Sequence, residues 1–369
     1  MVNNMDFELC NKYKEVLEKA AITSMTDVQK IAIPKIKAGN DLIVVSETGS
    51  GKTLTYLLPL MESVDKEIKT PQILILAPTH ELSSQIHRVV KMFRSDSMLL
   101  VGGMNLKKQI DSLKERPKII IGSNGRILEL IRLKKLKMHT IKTIVLDEGD
   151  RLLDDDNIED TKKVIKTTLK ERQILYFSAS INKDTENELK LIMKSPETIK
   201  LEMTLPSKIE HFYIECKRRD KVDALRKIIY GMNIPKTIIF VNNPVIINDI
   251  VNKLNYHKLN TLGLFGSKNV GKRNSTIIKF KEQNIPILVT SDLTSRGLDI
   301  DNVELVINYD VPDPTFYQHR CGRTGRIGKS GICISLASAT EIKFLENIKE
   351  TYSINIERKK MAYGKLVNS

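Results

Sequence analysis

The sequence predicts an α/β fold built as two tandem domains, each a mainly parallel sheet flanked by helices, and three observations carry that prediction. First, short apolar runs alternate with helical stretches along the first half of the 369-residue chain: DLIVVS (41–46), QILILA (72–77), KIII (118–121), IKTIVLD (141–147) and QILYFS (173–178). Runs of that length, separated by room for a helix, are what buried parallel strands joined by crossovers require. Second, the alternation starts again with HFYIE (211–215), KTIIFV (236–241), LNTLGLF (259–265), PILVTS (286–291), VELVINY (303–309) and GICISLA (331–337). Two such series imply two similar domains in place of one large sheet. Third, EMTLPSKIE (202–210) interrupts the pattern with a proline and polar residues. We expect a first domain over 1–203, a linker over 204–210 and a second domain over 211–369.

Composition sets the class. At 41% hydrophobic and 28% charged residues, this is an ordinary globular chain. A formal charge of +14 asks for a polyanionic partner, and nucleic acid is favoured over membrane because no long basic amphipathic helix stands out. Cys10, Cys216, Cys321 and Cys333 show neither CxxC spacing nor a histidine ligand pattern, so reduced thiols are expected. The N-terminal MVNNMDFELCNKYKEV lacks an apolar leader core, and no apolar run reaches membrane-spanning length. A soluble, cytoplasmic protein is expected.

SETGSGKT (46–53) is the most informative stretch, because it lies between a strand and the helical TLTYLLPLMESV (53–64). A loop in that setting presents backbone N–H groups at a helix N-terminus to a polyphosphate. Thr48, Gly49, Ser50 and Gly51 form the cradle, Lys52 reaches the outer phosphates, and Thr53 offers its hydroxyl to Mg²⁺. A plain Gly/Ser turn would not need Gly51, Lys52 and Thr53 in that order. IKTIVLDEGD (141–150) then ends an apolar strand abruptly in acid. Ligands of open α/β sheets bind at the carboxyl ends of strands, so Asp147 and Glu148 should face the phosphates. Asp147 can hold Mg²⁺ through water, and Glu148 can orient or deprotonate the attacking water. The competing reading is a strand end followed by an acidic turn, and Asp154 to Asp156 fit an exposed loop.

HRCGRTGR (319–326) spaces Arg320, Arg323 and Arg326 three residues apart. An arginine supplied from a second domain can stabilise the charge of a phosphoryl-transfer transition state, and Arg323 and Arg326 are the candidates. A basic loop on a phosphate backbone is the alternative. In TSDLTSRGLD (290–299), Gly297 relieves a turn, and Asp299 can accept from a ribose hydroxyl or cap a helix.

In this order, the motifs resemble those of the DEAD-box RNA helicases, a branch of superfamily 2, over about Phe7 to Glu346. The resemblance implies two RecA-like domains that close on ATP and single-stranded RNA. It puts the adenine-reading glutamine on Gln29 in TSMTDVQ (23–29), with Phe7 as its aromatic stacking partner. The DEAD tetrad becomes Asp147, Glu148, Gly149 and Asp150, with Gly for Ala, and the Ser-Ala-Thr coupling segment becomes Ser178, Ala179 and Ser180. Implied RNA contacts are Pro78, Thr79 and Glu81; Gly102 and Gly103; Ser123, Gly125 and Arg126; and, in the second domain, Asn242, Gly266, Arg273 and Thr290. Contacts of this kind, to phosphate and 2′-hydroxyl groups, position RNA without reading its sequence. Asp150 and His319 are implied to link the motifs of the two domains. His80 for Arg, Asn124 for Pro, Phe265 for His and Val270 for Gln depart from the family in RNA-facing segments.

The resulting expectation is an RNA-stimulated ATP hydrolase using ATP and Mg²⁺, which opens short RNA duplexes locally or remodels RNA–protein complexes. An ATP-gated RNA clamp with little unwinding is the alternative, and a DNA-directed helicase is disfavoured. Protein partners that set substrate choice and a monomeric state complete the expectation.

Overall fold

A computed structural model describes residues 13–368, apart from 21, 23, 48, 202–204, 206–207, 266–269, 283–284, 293–302 and 326–329, and describes 270–274 through their backbone alone. Phe7, Thr48, Gly266, Gly297, Asp299 and Arg326 lie outside the described residues, as do the side chains of Val270 and Arg273. The chain divides into two compact units, Met1–Glu202 and Met203–Ser369.

Unit 1 carries seven strands: β1 (Leu42–Val45), β2 (Ile73–Leu76), β3 (Ser97–Leu100), β4 (Ile119–Gly122), β5 (Thr143–Asp147), β6 (Gln173–Ser178) and β7 (Glu197–Lys200). They lie in the order 3-4-2-5-6-1-7, and every neighbouring pair is parallel. Central strands β1, β2, β4 and β5 are buried at every position, which is why they read as unbroken apolar runs. Helices Asp27–Lys37, Lys52–Ser63 and His80–Phe93 contribute Val28, Ile33, Leu57, Met61, Ile86 and Val90 to the core on one face of the sheet.

Unit 2 carries β8 (Ile209–Glu215), β9 (Thr237–Val241), β10 (Thr261–Gly263), β11 (Ile287–Ser291), β12 (Leu305–Asn308), β13 (Gly331–Ala337), β14 (Glu357–Ala362) and β15 (Lys365–Asn368). Their order is 10-11-9-12-13-8-14-15. Removing β15, which pairs antiparallel with β14, leaves the unit 1 order repeated strand for strand. Ile209 and Glu210, expected in the linker, already pair with Gly331 and Ile332 of β13.

The strands that the periodicity missed, β3, β7, β14 and β15, all lie at sheet margins. An edge position is only partly covered, so its side chains alternate or carry charge and the apolar run disappears. ERKKMA (357–362), though it lies inside β15, is exposed or half-buried throughout and loses the apolar run in the same way. The basic segment 357–368 forms a hairpin laid on β8 through pairs such as Arg358 with Tyr213.

Candidate active site

The order 5-6-1 in unit 1 brings the carboxyl ends of β5, β6 and β1 side by side. Ser46, just beyond β1, donates its N–H to the Ser178 carbonyl at 3.1 Å and ties the start of the phosphate loop to the end of β6. The loop turns through Gly49 at φ +87° and Gly51 at φ +91°. Such values suit glycine alone, and a Cβ at Gly51 would also lie 2.6 Å from Gln29 Nε2. Because Gly51 caps helix Lys52–Ser63, the unpaired N–H groups of that helix's first turn are directed back into the loop.

The Lys52 ammonium donates to the carbonyls of Ser46 and Glu47, each at 2.6 Å. Burial holds its pKa below the ordinary lysine value, against the opposing pull of Asp147, Glu148, Asp150 and Glu47. One turn along the helix, Tyr56 donates to Asp147 Oδ2 at 2.7 Å in a fully buried contact, and its hydroxyl is shared with Thr53. Burial pushes the Asp147 carboxyl above its usual value, although Tyr56 and Lys52 both draw it down. Thr53 and Asp147 thus meet at one phenol. Two oxygen ligands so close together form a donor set that suits Mg²⁺, which prefers hard oxygens and retains much of its water. Glu148 adopts φ +49° and ψ 51°, a left-handed conformation uncommon for glutamate, with its N–H on Asp147 Oδ1 at 3.0 Å. Strained backbone of this kind gathers at functional sites.

Gln29 lies under the loop. Its Oε1 accepts the Thr26 N–H at 3.0 Å, completing a capping box for helix Asp27–Lys37, while its Nε2 donates to the Gly51 carbonyl at 3.3 Å. Ser180 Oγ donates to Asp150 Oδ2 at 3.3 Å, and the Ser180 N–H reaches Ser178 Oγ at 3.3 Å. Unit 1 therefore gathers Gln29, Gly51, Lys52, Thr53, Asp147, Glu148, Asp150, Ser178 and Ser180 about one sheet edge.

The residues expected to touch RNA in this unit occupy helix starts and turns. Thr79 caps helix His80–Phe93 by accepting from the Leu82 N–H, Ser123 takes the capping position of helix Asn124–Arg132, and Gly103 turns at φ +77° beside exposed Gly102. Arg126 does not offer a free guanidinium. It is buried, donates through both terminal nitrogens to the Met104 carbonyl at 3.2 and 3.1 Å, and pairs with Glu129 at 2.9 Å, so it braces the glycine turn from beneath. Asn124 is equally committed, donating to Thr161 Oγ1 at 2.7 Å in a buried bond between two helices.

In unit 2, Arg320 is 1% exposed and engages Asp292 through Nε and Nη2, Asn308 Oδ1 and the Asp310 carbonyl through Nη1, and Asn242 Oδ1 through Nη2. It organises the strand ends that carry Asn242, whose N–H also rests on Asp310. Thr290 is fully buried, Arg323 is buried and His319 is half-buried. Two cysteines without a motif meet a histidine here. Cys321 Sγ lies 3.0 Å from Cys333 Sγ, and His211 bonds the Tyr317 hydroxyl at 2.9 Å, all in the core. Sequence spacing missed Tyr56, Asp292 and the structural use of Arg320. Tyr56 alone left a signal, four residues after Lys52 on the same helical face.

Comparison with known proteins agrees with this geometry. The family described as DEAD/DEAH box helicase matches residues 26–189, and the helicase conserved C-terminal domain matches 220–328. The DEAD-box ATP-dependent RNA helicase CshC of Bacillus cereus is 39% identical over 96% of this chain and 93% of its own length. The chain belongs to the DEAD-box ATP-dependent RNA helicases. A probable ATP-dependent RNA helicase of Bacillus subtilis, YfmL, is 41% identical over 92% of each chain. Among solved structures, S. cerevisiae Dbp5 bound to RNA and ADP BeF3 matches with a TM-score of 0.83 at 30% identity, over 93% of this chain and 92% of that one. Membership in this family makes the chain an ATP hydrolase of the RNA-helicase class, with two RecA-like domains.

Proposed function

We propose that this DEAD-box protein couples RNA-stimulated ATP hydrolysis to local opening of short RNA duplexes or to remodelling of RNA–protein complexes. The observation that carries the reading is the grouping of half-buried Lys52 with the buried Tyr56–Asp147 pair, beside the strained Glu148, after a loop that turns through two positive-φ glycines. Bound Mg-ATP supplies the scissile phosphoanhydride and a divalent charge. Lys52 would exchange its two loop carbonyls for phosphate oxygens, Thr53 and Asp147 would hold the metal, and Glu148 would orient or deprotonate water. Gln29, bonded to the loop at Gly51, reports the adenine edge to the phosphate cradle. Arg323 and Arg326 of the second unit are assigned to transition-state charge, and Phe7, Gly297 and Asp299 to the adenosine moiety. RNA is assigned to the turns and helix starts that carry Pro78, Thr79 and Glu81, Gly102 and Gly103, and Ser123, Gly125 and Arg126, with Asn242, Gly266, Arg273 and Thr290 continuing the contact in the second domain. Among the described residues, no helix is long and apolar enough to cross a membrane, and we assign the protein to the cytoplasm.

A second reading, an ATP-gated RNA clamp, draws on Asn124 and Arg126, whose side chains are spent on internal bonds. The deciding experiment measures ATP hydrolysis with and without single-stranded RNA or DNA, and then strand separation of a short duplex. RNA-specific stimulation with strand separation supports the helicase; ATP-dependent RNA retention without separation supports the clamp. A protein with neither stimulation by RNA nor ATP-dependent RNA retention sinks both.

A further inference from the structure

The family's tetrad has Gly149 in place of alanine, and the structure gives that glycine a partner. Gly149 lies against the ring of Tyr176, so a Cβ there would overlap Cε2 and Cδ2 and sit 2.9 Å from Cζ. Tyr176 belongs to β6, two residues before Ser178, and is fully buried. In register it stands beside Leu146 of β5 and Ile43 of β1, between the strands that deliver the carboxylates and the phosphate loop. Its hydroxyl donates to the Ser180 carbonyl at 3.3 Å, and Ser180 Oγ in turn donates to Asp150 at 3.3 Å. Burial, with the Asp150 charge adding to it, pushes the phenol well above its usual value, so the hydroxyl stays a donor across the working pH range.

One side chain therefore touches both altered motifs. Its ring fills the space where a methyl would stand in the Asp147–Asp150 turn, and its hydroxyl fixes the carbonyl of the residue that bonds the last carboxylate of that turn. Core packing at close to crystal density leaves no room for Tyr176 and an alanine together.

We infer that Tyr176 is a positioning residue that couples the carboxylate turn at Asp147–Asp150 to the Ser178–Ser180 segment, with Gly149 as its obligate partner. The inference rests on the reading of this site as an RNA-stimulated ATPase coupled to strand separation. Ser180 keeps the hydroxyl but lacks the methyl of the family's threonine, and Tyr176 supplies the restraint on its backbone that the smaller side chain does not.

The test compares Gly149→Ala, Tyr176→Leu, the double variant and Tyr176→Phe for RNA-stimulated hydrolysis, duplex separated per ATP consumed, and thermal unfolding. Gly149→Ala is expected to lower kcat about 10-fold while ATP KM moves less than about 2-fold, and adding Tyr176→Leu to restore kcat to within about 3-fold of wild type. Tyr176→Phe keeps the ring without a new void and tests the hydroxyl alone; duplex separated per ATP is expected to fall about 3-fold. A double variant no more active than Gly149→Ala, or a Tyr176→Phe protein with wild-type separation per ATP, overturns the inference. Should Gly149→Ala fail to fold, the Tyr176→Phe result decides. Wild-type protein without RNA stimulation would instead overturn the underlying reading, and thermal rescue in the double variant would still register the Gly149–Tyr176 packing.

Discussion

The two units repeat one strand order, yet they treat the same pair of charges in opposite ways. In unit 1 a lysine opens the 12-residue helix after β1, and a carboxylate ends β5. In unit 2 a lysine opens the 12-residue helix after β8, the counterpart of β1, and Asp310 follows β12, the counterpart of β5. Lys221 donates to the Tyr309 carbonyl at 2.7 Å and to Asp310 and Glu341 at 3.3 and 3.0 Å, and it is fully buried. No glycine precedes it, because KRRDK (217–221) stands where SGK stands in unit 1. The lysine with glycines before it donates to the backbone carbonyls of Ser46 and Glu47, which a phosphate can replace; the other is closed into an ion-pair cluster. A shared scaffold thus yields a reactive edge in one unit and a structural edge in the other, and the connecting loop decides between them.

The largest effect that could break this comparison is on turnover. Lys52→Ala should reduce RNA-stimulated hydrolysis by about 1,000-fold or more, since it removes a charge acting mainly in the transition state. Lys221→Met should leave kcat of the folded protein within about 3-fold but destabilise unit 2 by about 3 kcal/mol, because two partly buried carboxylates lose their partner. Denaturant unfolding followed beside activity separates the two outcomes, and a turnover defect in Lys221→Met at unchanged stability would end the comparison. Next in size, Gln29→Ala should raise the KM for ATP about 10-fold by freeing the Gly51 carbonyl and the Thr26 N–H, with a smaller change in kcat.

The carboxylates sharpen the contrast through pH. Burial raises Glu341, but hydrogen bonds from Ser338 and Lys221 outweigh it and hold the carboxyl below its ordinary 4.5. Its stabilisation is therefore complete above that value and lost as pH falls through the lower, folded-state value. The gap in urea midpoint between wild type and Glu341→Gln should be widest at neutral pH and narrow on acidification. Asp147 carries the opposite sign: held high by burial, it costs stability once pH has risen through its ordinary value and on to its folded-state value. Asp147→Asn should accordingly show a higher urea midpoint than wild type at neutral pH in the absence of nucleotide, while losing hydrolysis.

Much of this was legible in the chain. Buried central strands write themselves as apolar runs, so both sheets could be read, and the phosphate loop and the acidic end of β5 could be placed on one edge. Strands β3, β7, β14 and β15 could not, because their partial exposure removes the apolar run. Arg126 and Arg320 were visible as positive charges, but whether a guanidinium faces solvent or bonds a carbonyl such as that of Met104 depends on contacts distant in sequence. The same holds for Tyr176, whose role exists only because Gly149 lies against it.

The hairpin of β14 and β15 bears on solubility. β8 pairs with β13 on one side and β14 on the other, and Gly231 of helix Lys221–Met232 packs against Met361 and Gly364 of the hairpin. Without residues 357–369, the free backbone groups of β8 would be open to strand addition by another copy. Among the described residues the outermost strand on that side is β15, a four-residue strand that begins at exposed Lys365. A short outer strand that carries a lysine is a poor template for pairing with a second copy, so the hairpin closes this side of the sheet against ribbon growth.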